Sequence, residues 1–313
     1  MAEWLYEAGI GEARAALVED GRIVEARVER PGGVRVGAVL RARLVERLPA
    51  FTRAETTQGD VMVSRVPAGF TLGQSLLVEI TRQALPEAGR IKLAKAQPAA
   101  EGAIESDGPD LLARCEATGL PVRTLRAHEP DTLEAAGWSE ILDEAVTGEI
   151  AFPGGTLRLS PTPAMALFDV DGAIAPASLA VAAAAAVGRA IQRLDIGGSI
   201  GIDFPTLGNK AERQAAADAL DAVLSQPYER TAINGFGFLQ IVRPRPRASL
   251  PEILRADPTA SEALALLRQI ERTPPPVRAE QLAGSRAAAW LARHPELVAE
   301  LSRRTGVPIS FTS

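Results

Sequence analysis

Apolar and polar residues alternate through much of the first hundred positions, which is the pattern of half-buried strands. Residues 11–29 alternate on both sides of Asp20-Gly21, and this pair predicts a β-hairpin because both residues accept positive φ. Further alternating segments lie at 36–48, 50–58, 60–66, 75–83 and 90–96. Five short strands in such a short stretch predict a small antiparallel barrel of OB-like size.

The pattern changes after residue 97. Residues 98–135 carry many Pro, Gly and acidic residues around one short helical segment and predict a loosely structured connection. Helix and strand patterns then alternate as helix 138–146, strands 156–160 and 164–170, helix 177–194, strand 197–204, helix 210–226, and strands 230–234 and 236–243. Asn209 is the expected N-cap of the helix from 210, with Glu212 at the capping-box position. The chain is therefore expected to be an α/β (α+β) protein of several domains.

Composition restricts the classes of function. The 313 residues carry a net charge of −5, so a polyanion would have to bind through local basic patches or metal ions. The single cysteine, Cys115, excludes an intramolecular disulfide and a multi-cysteine zinc site. The start has no apolar signal segment, and no run approaches the roughly 20 apolar residues that span a bilayer. We expect a cytoplasmic protein without a membrane partner.

Three aspartates follow apolar strand patterns. Asp169 and Asp171 end one strand, and Asp203 ends the next. Neighbouring strands of a mixed sheet place such ends together, and clustered carboxylates require a positive partner. Mg²⁺ uses one or two carboxylates with water and phosphate oxygens, so a magnesium site is expected here. The plainer interpretation is that each aspartate caps a turn.

A second interpretation applies to "ALFDVDGAI", residues 166–174. It resembles the opening motif of haloacid-dehalogenase-type phosphatases, which implies that Asp169 is a nucleophile and Asp171 a general acid/base. Ala173 stands where that family has Thr or Val, and no later paired-acid loop follows a strand. The phosphatase is the less favoured alternative.

Three longer stretches resemble the ribonuclease E/G family of metal-dependent endoribonucleases, in order and at similar spacing. They are "FPGGTLRLSPTPAMALFDVDG" (152–172), "RAIQRLDIGGSIGIDFPTLGNKAERQ" (189–214) and "TAINGFGFLQIVRPRPRASL" (231–250). The resemblance implies a DNase I-like mixed-sheet catalytic domain, an OB-like RNA-binding barrel and a small C-terminal α/β domain. The expected segments are a hairpin of an RNase H-like subdomain at 1–30, the barrel at 31–97, the reduced connection at 98–135, the catalytic domain at 136–250 and the C-terminal domain at 251–313.

The resemblance also implies residue roles. Asp169 and Asp203 match the family's two metal-binding aspartates, and Asp171 stands where the family has an asparagine that positions the first acid and the phosphate. The implied reaction is Mg²⁺-assisted hydrolysis of single-stranded RNA by in-line attack of water, with Mn²⁺ as the alternative ion and no zinc. The added charge at Asp171 leaves a non-catalytic RNA-binding paralogue as the competing hypothesis.

The chain also departs from the family. The segment that senses a 5′-monophosphate and the paired cysteines of the family's zinc link have no counterpart. A family-type tetramer is therefore not expected, while a homodimer through the catalytic domain stays open.

Several side chains are candidates for RNA contact, because Arg and Lys bind phosphates and aromatic rings stack bases. They are Arg189, Lys210, Arg243, Phe236 and Lys92, the last expected on the final barrel strand. Solvated helix faces, or packing in the core for Phe236, are the alternative explanations.

Overall fold

A computed structural model describes residues 1–87, 90–162 and 164–312. Pro163, inside the first family-like stretch, and Ser313 lie outside the described residues. The chain forms two compact units, each assembled from separate segments. Unit 1 comprises Met1–Pro31, Leu111–Ser139 and Ile253–Ser313, and unit 2 comprises Gly32–Asp110 and Glu140–Glu252.

The strands in chain order are β1 (Glu3–Ala8), β2 (Ala13–Glu19), β3 (Arg22–Glu29), β4 (Val39–Arg47), β5 (Thr52–Thr56), β6 (Gly59–Val63), β7 (Ser75–Arg82), β8 (Leu85–Glu87), β9 (Arg90–Lys92), β10 (Ala94–Pro98), β11 (Val122–Thr124), β12 (Glu149–Phe152), β13 (Gly155–Pro161), β14 (Ala166–Gly172), β15 (Gly198–Asp203), β16 (Glu229–Arg230), β17 (Phe238–Arg243), β18 (Glu280–Leu282) and β19 (Ser310–Thr312).

The helices are α1 (Leu111–Glu116), α2 (Thr132–Ala135), α3 (Trp138–Thr147), α4 (Pro176–Arg193), α5 (Lys210–Asp221), α6 (Leu250–Ala256), α7 (Pro258–Glu271), α8 (Ser285–Ala292) and α9 (Pro295–Thr305). The mixture of helices and sheets confirms the predicted α/β class.

Unit 1 contains a four-stranded sheet in the order β11-β1-β2-β3. The predicted hairpin is its β2–β3 pair, and the turn has positive φ at both Asp20 (50°) and Gly21 (77°). Trp4 and Ala15 of the sheet pack with Leu111 and Cys115 of α1. The turn chemistry read from the sequence is therefore confirmed.

A buried ion network connects strands β1 and β2 to helix α7 within unit 1. Glu7 of β1 is 6% exposed and accepts hydrogen bonds from Arg14 at 2.9 Å, Arg268 at 2.8 Å and Arg272 at 2.9 Å. Asp131 belongs to the same network, because Arg268 also donates a hydrogen bond to it. Burial raises the pKa of Asp131, but its hydrogen bonds, of which the one from Arg268 contributes most, outweigh burial and hold that pKa below its ordinary value. Buried carboxylates are tolerated only with such partners.

Unit 2 begins with a closed five-stranded barrel in the cyclic order β10-β6-β5-β4-β7. Its core includes Leu44, Val61 and Ile80. A small five-stranded barrel was predicted and is present, although β10 runs parallel to β6, so the barrel is not wholly antiparallel.

The predicted strand over 90–96 is wrong in one respect. Arg90–Lys92 pairs back onto Leu85–Glu87 as a separate two-stranded sheet, and β10 closes the barrel instead. Alternation continues through residue 93 while the chain changes its pairing partner, and hydrophobic period alone does not identify that partner. Lys92 therefore lies outside the barrel strands.

The second part of unit 2 is a six-stranded sheet in the order β12-β13-β14-β15-β17-β16. β14 and β15 are parallel and joined through α4, and the other neighbours are antiparallel. Leu179 of α4 packs so closely over Gly172 that a Cβ atom there would clash with its Cδ1, and the same atom would lie 3.0 Å from a Cβ atom at Gly155. This contact places α4 on the face that buries Phe168 and Ile202.

Two segments flanking this sheet also test the sequence reasoning. Asn209 is the N-cap of α5, as predicted, and its Oδ1 accepts from the Glu212 N–H at 3.0 Å. The predicted strand over 230–234 is reduced to Glu229–Arg230. Beyond it the Asn234 side chain accepts from the N–H groups of Phe236 and Phe238, a local alternative to ladder pairing.

Within the described ranges, none of the helices has the length and hydropathy needed to cross a lipid bilayer.

Two phenylalanines of unit 2 provide a matched test of this core. Phe168 is fully buried, whereas Phe236 is 87% exposed. We expect Phe168→Ala to lower the free energy of unfolding by about 3–5 kcal/mol, because it leaves a cavity in the sheet core. Phe236→Ala should change it by less than about 0.5 kcal/mol. Urea unfolding followed by circular dichroism measures both, and equal losses would contradict the described packing.

Candidate active site

One row of side chains crosses five adjacent strands of the six-stranded sheet. Across the sheet, the Cα register pairs its members in the order Glu149, Arg158, Asp169, Asp203 and Phe238, which lie on β12, β13, β14, β15 and β17 respectively. Asp169 and Asp203 are therefore direct neighbours on parallel strands, which lie about 4.8 Å apart.

Strand alternation puts the two carboxylates on the same face. Phe168 and Ile202, one residue earlier, are paired and buried, whereas Asp169 and Asp203 are exposed. Successive side chains of a strand point to opposite faces, so both aspartates lie on the face opposite α4. The structure brings these two predicted residues together.

Asp171 lies further along β14 on this same face. It is exposed and paired with Thr156, two positions beyond Asp169 and thus about 7 Å away along the strand. In the part of the chain that the structure describes, no three His, Cys, Asp or Glu side chains are grouped to hold a metal ion. The expected trio is a neighbouring pair with Asp171 to one side.

Apolar side chains lie beside the aspartate pair. A Cβ atom at Gly201 would lie 2.7 Å from Cζ of Phe238 and 2.8 Å from Sδ of Met165. The ring of Phe238 and the side chain of Met165 therefore cover Gly201, two residues before Asp203. The pair is bordered by an apolar surface on this side and by Arg158 on the other.

Neither carboxylate has a hydrogen-bond or ion-pair partner in the part of the chain that the structure describes. Across residues 1–87, 90–162 and 164–312, no hydrogen bond or ion pair is formed by the side chain of Asp169, Asp203 or Asp171. Like charges directly opposite each other on a sheet are destabilising. Two adjacent, exposed and unpaired carboxylates fit Mg²⁺, which binds proteins through one or two carboxylates and takes its other ligands from water and phosphate.

Two of the predicted RNA-contact residues lie on segments next to this row. Phe236 projects from the turn before Phe238, which is the register partner of Asp203. Lys210 is exposed at the first position of α5, which the loop 204–209 connects to Asp203.

The other three lie elsewhere. Arg189 is exposed on α4, which covers the opposite face of the sheet. Arg243 pairs with Gly198 at the far end of β15 from Asp203, and it donates to the Ile196 carbonyl at 3.1 Å. Lys92 lies in the two-stranded sheet beside the barrel. The structure does not bring these three side chains to the aspartate pair.

Sequence reasoning missed Arg158 and Glu149. Both occupy polar positions of alternating strands, and their side chains form an ion pair with a 3.9 Å separation. The alternation in "TLRLS" could have placed Arg158 on the aspartate face. Its position directly opposite Asp169 depends on the β13–β14 register, which the pattern does not give.

Comparison with known proteins assigns no family, since no family model matches this chain and the curated proteins give no match. The ribonuclease E/G resemblance therefore stays a prediction.

The charge arrangement predicts a metal-dependent stability. In EDTA, we expect Asp203→Asn to raise the melting temperature by about 1–3 °C, because it removes repulsion from Asp169. Mg²⁺ should then raise the melting temperature of the wild-type protein but not of the variant. Differential scanning calorimetry measures both effects.

Asp143→Asn is the matched control, because Asp143 is an exposed aspartate of α3 in the same unit. It should leave the response to Mg²⁺ unchanged. An equal response to Mg²⁺ in wild type and Asp203→Asn would contradict a cation site at the pair.

Proposed function

We propose that this protein is a cytoplasmic, Mg²⁺-dependent endoribonuclease that hydrolyses single-stranded RNA. The observation that carries the proposal is the register pairing of Asp169 with Asp203 on one exposed face. A pair of unneutralised carboxylates on an open surface is the donor set that metal-dependent phosphodiester hydrolysis needs.

The position of the family-like stretches supports the same proposal. The first contributes β13 and β14, the second contains β15, and the third contains β17. These four strands are consecutive neighbours in the sheet. Segments separated along the chain thus form one continuous surface, as expected if they share a catalytic role, and the helix-backed mixed sheet agrees with a DNase I-like domain.

Each residue of the pair has a defined task in this proposal. Asp169 and Asp203 would hold Mg²⁺, which supplies polarisation of the phosphodiester and a lower pKa for the attacking water. Their exposure lets an RNA strand approach the sheet face without rearrangement of the core. The neighbouring apolar surface of Met165 and Phe238 limits solvent on one side of the pair.

The barrel supports RNA as the substrate. Five-stranded barrels of the OB type bind oligonucleotides on one sheet face and adjacent loops. On this barrel, the ammonium group of Lys95 lies 5.2 Å from the ring centre of Phe51. A cation next to an aromatic ring combines the two contacts that single-stranded nucleic acid uses, phosphate binding and base stacking.

The position of Asp171 favours one alternative function. Its carboxylate adds a third exposed negative charge along β14, where the scissile phosphate would approach. Repulsion of that phosphate would leave an RNA-binding protein without turnover. Removal of the Asp171 carboxylate is therefore expected to affect an RNA-binding protein and a nuclease differently.

The nuclease is tested with a labelled single-stranded oligoribonucleotide, incubated with Mg²⁺ or with EDTA. We expect cleavage only with Mg²⁺, and a loss of at least about 100-fold in Asp169→Ala and in Asp203→Ala because each removes a metal ligand. Gel electrophoresis of the products measures the rate.

Asp143→Ala is the control and should cleave normally. Cleavage by wild type that survives in both aspartate variants would contradict the assigned site. If the wild type is inactive and Asp171→Asn cleaves, the natural protein is the RNA-binding alternative. Release of phosphate from small phosphomonoesters, with RNA left intact, would identify the phosphatase instead.

Phe236 provides a separate test of RNA binding. Phe236→Ala should weaken binding of single-stranded RNA by about 5–150-fold, because stacking on an aromatic ring contributes roughly 1–3 kcal/mol per base. Phe236→Tyr should retain most of the affinity. Fluorescence anisotropy in EDTA measures binding without hydrolysis, and equal affinities for wild type and Phe236→Ala would exclude the ring from the interface.

A further inference from the structure

Arg158 is the cation placed nearest to the aspartate pair by the sheet register. It lies directly opposite Asp169, and Asp169 lies beside Asp203. Opposed residues of antiparallel strands have Cβ atoms about 4.5–5.5 Å apart. The burial pattern of β13 exposes Arg158 between the buried Leu157 and Leu159, so its side chain leaves the sheet on the aspartate face.

The guanidinium of Arg158 is held only loosely. Its ion pair in the described structure is with Glu149 at 3.9 Å, with the two side chains 62% and 65% exposed. Exposed pairs of this kind contribute little, because solvent screens them and both long side chains lose rotamer freedom. Arg158 can therefore leave Glu149 at low cost when a stronger anion arrives.

A phosphate is such an anion. Guanidinium groups bind phosphate oxygens through two parallel charge-assisted hydrogen bonds, which a single exposed carboxylate at 3.9 Å does not provide. RNA lying across the aspartate pair would place a neighbouring phosphate one strand away, above β13. At this position Arg158 would exchange its contact with Glu149 for a stronger contact with the phosphate.

We propose that Arg158 binds the RNA phosphate next to the scissile bond, and that Glu149 is a competing anion that holds Arg158 until RNA displaces it. This inference rests on the proposed nuclease function and assigns a phosphate-binding residue and its internal competitor to the same site. Glu149, Arg158 and the aspartate pair then form one row of charged side chains across the sheet, with a single cation between Glu149 and the two aspartates.

RNA affinity in the Asp203→Asn background tests the proposal without reference to turnover. Anisotropy of a labelled single-stranded oligoribonucleotide is measured over a salt series. We expect Arg158→Gln to weaken binding about tenfold and to reduce the slope of log affinity against log salt by about 0.7, since one phosphate contact is lost. Arg158→Lys should keep the slope and recover part of the affinity.

Glu149→Gln separates a competitor from a mere structural partner. It should tighten RNA binding about two- to threefold, because it releases Arg158. A structural role for the ion pair predicts no gain or a loss. With the catalytically active protein, Arg158→Gln should raise KM about tenfold and change kcat less than about twofold, because a neighbouring phosphate is bound equally before and during reaction.

Arg123→Gln is the matched control. Arg123 is also an exposed strand arginine with a long glutamate ion pair, to Glu3 at 3.7 Å, and it belongs to unit 1. It should change neither affinity nor salt slope. Arg158→Gln with wild-type affinity and slope, in a protein that cleaves RNA, would overturn the Arg158 assignment alone. Failure of the wild-type protein to bind or cleave RNA would overturn the nuclease and this inference together.

Discussion

The register between β14 and β15 is the constraint on which the candidate site depends. It sets Phe168 against Ile202 inside the sheet and, one residue later, Asp169 against Asp203 outside it. A slip of one residue would turn every side chain of one strand to the other face, exposing large apolar groups and burying a carboxylate. The apolar core under α4 therefore fixes the position of the charged pair. The pairing of β14 with β15 determines both the packing of the core and the geometry of the candidate site.

This arrangement is expected to lower the stability of the protein when no cation is bound. Opposite charges on neighbouring strands stabilise a sheet, yet here two carboxylates adjoin and form no ion pair within the described residues. Local choices that disfavour the folded state are expected mainly where a ligand later compensates them. Unit 1 shows the contrast, because its buried carboxylate of Glu7 is surrounded by guanidinium groups.

Much of this fold follows from the sequence because its causes are local. Alternation and turn residues give the hairpin at Asp20, and side-chain capping gives the helix start at Asn209. The adjacency of Asp169 and Asp203 follows from two consecutive strands joined by one helix. The features of the fold that the sequence does not predict depend on pairing between segments that are distant along the chain.

Arg243 shows the limit clearly. Arg243 lies in the same family-like stretch as Phe238. Because β17 runs antiparallel to β15, Arg243 at the end of β17 lies beside the start of β15, at the opposite end of that strand from Asp203. Unit 1 depends even more on distant segments, because strands from residues 1–31 are completed by helices from residues 253–313. During synthesis, the segment 253–313 emerges after residues 32–252, so the β1–β3 sheet gains its contacts with these helices only after the whole of unit 2 has been made. The order of translation therefore favours formation of the aspartate-bearing sheet before the buried network at Glu7.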